Sequence, residues 1–412
     1  MSAALSRCSL VTLAILVAAT AQGGGHDKLP KQYDVTPIVA PPNNAHCEPG
    51  FAQTTFARRM NASGQIAGYQ VCYEATGSPD APFLFNFGWG YVFTPGVGSR
   101  FLPNISADAI GTLGRSVNDA GVAVGWEFTQ ELAFAPVWLP SGGASYAVAS
   151  DPCADFPFSQ ADDINNVGSI AASAERLPAQ GCSNHWILKR ADGTEVVGPL
   201  GFVDALNDHD VLVGQVSNTA RKWSPTLGDV VLLPEGVPGR ERLRAYNINN
   251  NEEVVGEWQH INNPQDFCLV GADAVYWGPE GGTAQILPRL PHDTHAVAIG
   301  INNQGLIVGN SRTMPVCNSF QPDTQRAVIW HQGRVTDLNK LLKKSDAREI
   351  QLIQASDIND SGQIAAFGFY RNQPLDKCWD FVFNPDTGES VYDTTLQCHS
   401  LHSFLLTPTG DK

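Results

Sequence analysis

Residues 298–309 read Ala298-Ile299-Gly300-Ile301-Asn302-Asn303-Gln304-Gly305-Leu306-Ile307-Val308-Gly309, and this pattern recurs along the whole chain. The copies centre on seven asparagines, which are Asn61, Asn118, Asn165, Asn207, Asn249, Asn302 and Asn359. Successive asparagines are 57, 47, 42, 42, 53 and 57 residues apart. A period in this range is typical of one four-stranded blade of a β-propeller.

Each copy of the pattern predicts a tight β-hairpin. Glycine follows the asparagine by three positions in most copies, and Asp210 and Glu252 are the exceptions. Asparagine and glycine both tolerate the left-handed backbone that such turns need. A third strand with a tryptophan follows, as in Ala327-Val328-Ile329-Trp330, and a fourth apolar segment completes the unit. One repeat therefore supplies four strands.

The repeats predict an all-β fold, a seven-bladed β-propeller with four strands in each blade. We expect residues 33–38 to pair beside the last strand near Phe404–Leu406, so that the N- and C-terminal strands close the ring. Such closure leaves no exposed sheet edge. The predicted propeller spans residues 33–408, between a disordered leader at 22–32 and a tail at 409–412.

The N-terminus has the features of an export signal. Arg7 is followed by an apolar run, Leu10–Ala19, and then by Ala19-Thr20-Ala21, a small-x-small cleavage site. The run is too short for a permanent membrane anchor, and no later segment is long enough to span a bilayer. The sequence thus predicts a signal peptide at residues 1–21, cleaved after Ala21, and a periplasmic or extracellular protein.

Cleavage at that point leaves eight cysteines, an even number that predicts disulfide bonds in an exported chain. They are Cys47, Cys72, Cys153, Cys182, Cys268, Cys317, Cys378 and Cys398. Sequence proximity favours four pairs, although other connectivities stay open. The pairs are Cys47 with Cys72, Cys153 with Cys182, Cys268 with Cys317 and Cys378 with Cys398. The predicted bonds secure long loops on one face of the propeller, the face on which rigid scaffolds usually carry function.

The charge balance argues against a nucleic-acid partner. The chain of 412 residues is 43% hydrophobic and carries a formal net charge of −15 at pH 7. Phosphate backbones are bound by clustered lysines and arginines, and the basic runs at 240–244 and 343–344 are short.

The repeated residues resemble the bacterial extracellular HAF repeat family and related secreted propeller proteins of unknown function. The resemblance rests on the Ile-Asn-x-x-Gly-x-Ile-x-Gly hairpin, the Ala-Val-Ile-Trp third strand, and the terminal segment His402–Pro408, and it covers residues 33–408. It implies an exported, propeller-like protein. It implies no known reaction, and so it transfers no catalytic residue.

Polar side chains stand two and three positions before several of the repeat asparagines, at the predicted mouth of the axial channel. They are Arg58, Arg59, Arg115, Asp162, Asp163, Asp204, Tyr246 and Asp357. Opposite charges on opposite sides of a channel could bind a zwitterionic or carboxylate-bearing ligand. The structural alternative is a set of ion pairs between neighbouring blades, such as Arg115 with Asp162 or Asp163.

Other functional signals are weaker. Trp89, Trp126 and Trp258 lie outside the repeated tryptophan position and are therefore better ligand-binding candidates than the regular tryptophans. The chain contains no nucleophile elbow, no metalloprotease motif and no phosphate loop. We therefore predict no catalytic residue, no metal and no cofactor.

Three functions remain open at this point. The first is a monomeric, exported scaffold that binds a glycan, a small acid or a protein. The second is an exported hydrolase or lyase with its site at the channel mouth. The third is a structural component of the cell envelope, in which the propeller spaces other modules.

Overall fold

The computed structural model describes residues 29–41, 53–75, 83–129, 132–148, 158–176, 183–233, 241–263, 268–313, 324–377, 380–384, 389–393 and 397–409. The predicted signal peptide lies outside these residues. Of the eight predicted disulfide cysteines, Cys72, Cys268 and Cys398 have a described backbone only, so the disulfides also lie outside the described part.

The fold is all-β, and each repeat forms an antiparallel sheet. The N-terminal strand and the first three repeats comprise β1 Tyr33–Ile38; β2 Gln53–Met60, β3 Ile66–Ala75, β4 Phe83–Thr94 and β5 Gly98–Phe101; β6 Gly111–Val117, β7 Ala123–Phe128, β8 Ala133–Phe134, β9 Pro136–Trp138 and β10 Ala144–Tyr146; and β11 Ser159–Ile164, β12 Ile170–Arg176, β13 Ser183–Lys189 and β14 Glu195–Leu200. In these repeats the main sheets run in the orders β2-β3-β4-β5, β6-β7-β9-β10 and β11-β12-β13-β14.

The remaining repeats follow a similar antiparallel plan, except that the fifth and sixth are joined into one sheet through a parallel pairing between strands. Their strands are β15 Phe202–Leu206, β16 Leu212–Val216, β17 Thr219–Ser224 and β18 Gly228–Leu233; β19 Glu241–Ile248, β20 Val254–Asn263, β21 Cys268–Trp277, β22 Gly282–Thr283 and β23 Gln285–Ile286; β24 His295–Ile301, β25 Ile307–Arg312, β26 Gln325–His331 and β27 Arg334–Asp337; and β28 Ile350–Ile358, β29 Ile364–Tyr370, β30 Asp376–Lys377, β31 Asp380–Asn384, β32 Glu389–Asp393, β33 Gln397–Cys398 and β34 His402–Pro408.

The first strands of consecutive repeats lie side by side around a common axis. β2, β6, β11, β15, β19, β24 and β28 each contact the first strand of the next repeat, and β28 contacts β2. This arrangement is that of a β-propeller. Small residues stand four positions before the asparagine in these strands, and Ala57, Ala161 and Ala298 are fully buried there.

A ring of hydrogen bonds connects the seven repeat asparagines. Each side-chain Nδ2 donates to the main-chain oxygen of the next asparagine at 2.9–3.2 Å, and Asn359 donates to Asn61. All seven side chains are buried. The asparagine therefore joins neighbouring sheets in addition to shaping its own turn.

The predicted hairpin turns are present, including those at the two exceptions. Asp210 and Glu252 have φ values of 59° and 60°, close to the left-handed 74° of Gly305 at the same repeat position. Asp210 N–H donates to Asn207 O at 3.2 Å, and Glu252 N–H donates to Asn249 O at 3.0 Å. Both turns thus keep the conformation without the glycine.

The regular tryptophans pack between sheets. Trp138 is 1% exposed and belongs to the same hydrophobic cluster as Val92 and Leu102 of the preceding repeat. Its indole Nε1 donates to Pro103 O at 2.8 Å. Trp258, predicted as a binding candidate, instead belongs to the hydrophobic core.

The terminal strands pair as predicted, in antiparallel register from Tyr33 with Pro408 to Ile38 with Ser403. They belong to a sheet with the order β1-β34-β29-β28.

The seventh repeat also contains elements that its pattern does not predict, the hairpin β31–β32 and the strand pair β30–β33. A short helix, α1 Lys344–Glu349, precedes β28. No helix in the described ranges is long and apolar enough to cross a membrane.

Candidate functional site

A β-bulge in the first strand of every repeat aims one side chain toward the axis. The strand register shifts just before the asparagine in all seven repeats. An extra residue at a bulge bends the strand and redirects its side chain. The residues three positions before each asparagine are Arg58, Arg115, Asp162, Asp204, Tyr246, Ile299 and Ser356, and all seven line one cavity.

This axial cavity has a volume of about 560 Å³. Side chains five positions before and eight positions after certain repeat asparagines complete its wall, among them Arg244, Gln354, Trp126, Glu257 and Asn310. Two further polar residues of the sixth repeat, Arg312 and Gln325, also line it. The volume is within the range of small-molecule sites.

Six of the eight residues predicted at the channel mouth lie in this cavity. They are Arg58, Arg59, Arg115, Asp162, Asp204 and Tyr246. Asp163 and Asp357 lie instead in a depression of about 280 Å³ on the side of the asparagine turns.

The bulge explains this division, because it sends residues three and two positions before the asparagine toward different ends of the axis. Asp163 accepts a hydrogen bond from Leu206 N–H at 3.0 Å, and Asp357 accepts one from Met60 N–H at 2.9 Å. These two carboxylates therefore tie neighbouring first strands together.

Arg59 extends across the axis and forms the floor of the cavity. It lines both the cavity and the turn-side depression. Its Nη2 donates to Asp204 O at 3.0 Å and to Tyr246 O at 2.8 Å, although those residues belong to the fourth and fifth repeats. Burial lowers the pKa of Arg59, but Asp163 and other carboxylates outweigh burial and raise it. The guanidinium group of Arg59 thus has its hydrogen-bond partners within the protein.

The carboxylates of the cavity wall all have partners. Arg115 Nη2 lies 3.3 Å from Asp162, which is one of the ion pairs considered as the structural alternative. Arg244 contacts both oxygens of Asp204, at 2.9 and 3.2 Å. Tyr246 donates its hydroxyl proton to Glu257 at 2.6 Å.

Burial raises the pKa of two of these carboxyl groups. The pKa of Asp162 rises to about 6 through burial, against the opposing effect of Arg115. Burial likewise raises the pKa of Glu257, and the Tyr246 hydroxyl partly offsets this. Asp162 therefore begins to lose its charge in mildly acidic solution, which leaves Arg115 less neutralised.

Arg58 and Arg312 differ from the other arginines of the wall. In the described part of the chain, neither has a carboxylate oxygen within 4 Å. Burial and the nearby Arg115 lower the pKa of Arg58 to about 10, and its guanidinium lies 5.9 Å from the centre of the Tyr69 ring. Burial also lowers the pKa of Arg312. Two half-buried positive charges thus face the cavity without an ion-pair partner among the described residues.

The sequence prediction missed several wall residues, although the repeat contains a signal for some of them. Arg244 and Gln354 share one repeat position, and Glu257 and Asn310 share another. Each of these positions is next to a small buried residue in its strand. Because successive side chains point to opposite faces, these residues lie on the strand face that points to the axis. Among the described residues, no group of three His, Cys, Asp or Glu side chains is placed to hold a metal ion.

No protein-family model and no curated protein matches this sequence. Among solved structures, virginiamycin B lyase from Staphylococcus aureus is similar over 91% of this chain and 98% of its own, with 8% identity and a TM-score of 0.46. The β-propeller domain of the trilobed protease from Pyrococcus furiosus is similar over 87% and 96%, with 10% identity and a TM-score of 0.34. Hsv2 from Kluyveromyces marxianus is similar over 85% and 99%, with 8% identity and a TM-score of 0.35. Such distant likenesses indicate nothing about the ligand or the reaction of this chain.

Proposed function

We propose that this chain is an exported, seven-bladed β-propeller of the HAF-repeat type that binds a small anionic ligand in its axial cavity. β1 and β34 close the ring of blades, and the predicted signal peptide directs export. The protein acts as a binding scaffold and takes the ligand from outside the cytoplasm.

The pair of unbalanced arginines, Arg58 and Arg312, is the observation that carries the proposal. Moving a charge out of water is unfavourable unless a counter-charge accompanies it. Burial lowers the pKa of both guanidinium groups, and the more distant carboxylates of Asp204 and Glu257 offset this effect only in part. Arginine also binds carboxylate and phosphate groups through paired hydrogen bonds. An anionic ligand between these walls removes the electrostatic cost.

Binding is favoured over hydrolysis or lyase chemistry because the cavity carboxylates are already engaged. A general base needs a free lone pair within hydrogen-bond reach of its substrate. Asp162 and Asp204 form ion pairs with arginines, and Glu257 accepts hydrogen bonds from Tyr246 and Gln259. The charged groups of the cavity that have no ion-pair partner among the described residues are therefore cations, which suit recognition of an anion.

A thermal-shift measurement with simple monocarboxylates tests the proposal. A ligand that binds only the folded state raises the melting temperature by mass action. We expect a rise for the wild type and none for the double variant Arg58→Gln/Arg312→Gln. Arg334→Gln is the matched control, since Arg334 is exposed on β27 away from the cavity. Equal shifts in all three proteins place the anion elsewhere and contradict the proposal.

Export has a separate test in the mature N-terminus. Mass spectrometry of protein from a bacterial host is expected to show a chain that begins at Gln22 and is located outside the cytoplasm. An uncleaved chain retained in the cytoplasm contradicts this part of the proposal.

A further inference from the structure

One side of the axial cavity is polar but carries no carboxylate. Asn310, Gln325 and Ser356, from the sixth and seventh repeats, line it, and they are 5%, 2% and 6% exposed. Arg312 lies on the same side. Side chains buried to this degree normally have hydrogen-bond partners for their polar atoms.

Gln354 fixes the orientation of the two amides. Its Oε1 accepts a hydrogen bond from Asn310 Nδ2 at 3.1 Å and another from Gln325 Nε2 at 3.3 Å. Because each amide donates to Gln354, each has its own carbonyl oxygen left over. The resulting surface presents hydrogen-bond acceptors.

Four buried atoms on this side have no hydrogen-bond partner within the described part of the protein. They are Asn310 Oδ1, Gln325 Oε1, Ser356 Oγ and Arg312 Nε. Leaving such atoms unpaired costs stability, and a native structure retains this cost mainly where a ligand or a function requires it. All four residues line the axial cavity, so we expect their unpaired atoms to turn toward a ligand that binds there.

We propose that the ligand of this cavity is a hydroxylated carboxylate of the sugar-acid class, a proposal that rests on the anion-binding function above. Asn310 Oδ1 and Gln325 Oε1 need donors, which hydroxyl groups supply and a plain carboxylate lacks. A hydroxyl group can also accept from Arg312 Nε and exchange a hydrogen bond with Ser356 Oγ. The carboxylate is bound by the guanidinium groups of Arg58 and Arg312.

The size and rim of the cavity fit this class of ligand. Its volume of about 560 Å³ accommodates a monosaccharide acid with space for a second sugar unit. Phe202 lines the cavity, is 45% exposed, and offers an apolar surface to the C–H face of a sugar ring.

Isothermal titration calorimetry with three probes separates the hydroxyl and carboxylate contributions. The probes are galacturonate, galactose without the carboxylate, and cyclohexanecarboxylate without the hydroxyl groups. We expect galacturonate to bind at least about ten-fold more tightly than either of the other two, since each lacks a group that satisfies buried polar atoms.

Two variants test the assigned residues. Asn310→Leu and Ser356→Ala remove unpaired atoms, so we expect each to weaken galacturonate binding by about five-fold and cyclohexanecarboxylate binding by clearly less. Arg334→Gln is the control, and melting temperatures confirm that the variants fold.

The outcomes distinguish this inference from the proposed function. If galacturonate and cyclohexanecarboxylate bind equally well, and both depend on Arg58 and Arg312, the sugar-acid assignment is overturned. The proposed anion site is then retained. Absence of binding by both carboxylates overturns the two proposals together. Unchanged galacturonate affinity in Asn310→Leu and Ser356→Ala also overturns the sugar-acid assignment.

Discussion

The repeat asparagine performs two tasks with one side chain. In the sixth repeat, Asn302 Oδ1 accepts hydrogen bonds from Gln304 N–H at 3.1 Å and Leu306 N–H at 2.9 Å. Its Nδ2 donates to Asn359 O at 3.1 Å in the next repeat. Aspartate lacks the donor and serine lacks the reach, so the amide suits both tasks. This explains why all seven copies contain asparagine.

Asn302→Ala is expected to destabilise the protein by about 2–4 kcal/mol, because it leaves two backbone N–H groups without a partner and removes one of the two hydrogen bonds to Asn359 O. The measurement is the free energy of unfolding in urea. Asn303→Ala, at the neighbouring partly exposed position, is the control and is expected to cost under about 1 kcal/mol. Equal losses in the two variants contradict the assigned role of Asn302.

Glu252 replaces the turn glycine for an identifiable reason. Its carboxylate lies 2.9 Å from the ammonium group of Lys222, which is only 2% exposed. Glu252→Gly relieves left-handed strain but leaves a buried cation without its partner, and we expect a net loss of about 1–2 kcal/mol. In a Lys222→Met background the same change is expected to be stabilising by about 0.5–1 kcal/mol. Urea unfolding of the four proteins measures both effects, and stabilisation by Glu252→Gly alone contradicts the pairing.

The sequence predicted the candidate site well at some positions and poorly at others. Periodicity located Arg58, Arg115, Asp162, Asp204 and Tyr246, since all precede the asparagine by the same three positions. It could not separate these from Asp163 and Asp357, because the bulge that divides them is a property of strand pairing. Arg312 and Gln325 lie outside the shared positions, so no repeat signal could find them.

At the level of strands and turns, a second hydrogen-bond ring surrounds the asparagine ring. In six of the seven repeats, the residue after the asparagine donates its N–H to the side chain of the equivalent residue in the next repeat. The acceptors are Asp119, Asn166, Asp208, Asn250, Asn303 and Asp360, at 2.8–3.0 Å. Ala62 has no side-chain oxygen to offer Asp360 N–H, so the outer ring is incomplete between the seventh and first repeats.

Ala62→Asn is expected to complete the outer ring and stabilise the protein by about 0.5–1 kcal/mol, the contribution of one exposed hydrogen bond. Ala62→Leu adds bulk without an acceptor and is the control. The midpoint of urea unfolding measures the change. A midpoint for Ala62→Asn that is no higher than that of the control contradicts the proposed closure at this junction.

The repeats predicted the principal strands and turns because each copy carries its own local signals. The repeats did not predict the β31–β32 hairpin or helix α1, because these elements occur in one repeat only and interrupt the period.

At the scale of the whole molecule, the axial cavity contains unbalanced arginines although the chain carries a formal net charge of −15. The contrast explains how a strongly acidic protein can bind an anion at one place. Arg59 closes the cavity floor by contacting the fourth and fifth repeats. The ligand therefore enters and leaves through the opposite opening.

Anion binding is expected to strengthen as the pH falls from 7.5 to 5.5. The folded-state pKa of Asp162 is raised to about 6, so its negative charge is lost over this interval and Arg115 becomes available. Galacturonate stays ionised, and we expect its affinity to rise by about three- to ten-fold. Calorimetry at both pH values measures the change. Asp162→Asn is expected to flatten the profile, and a wild-type affinity that falls with acidity contradicts this electrostatic account.

A crystal structure of the protein with galacturonate tests the central claim most directly. We predict the ligand in the axial cavity, with carboxylate oxygens about 3 Å from guanidinium nitrogens of Arg58 or Arg312. Its hydroxyl groups are expected on Asn310, Gln325 and Ser356. A ligand bound only in the turn-side depression or on the outer strands, with both arginines free of any anion, contradicts the claim.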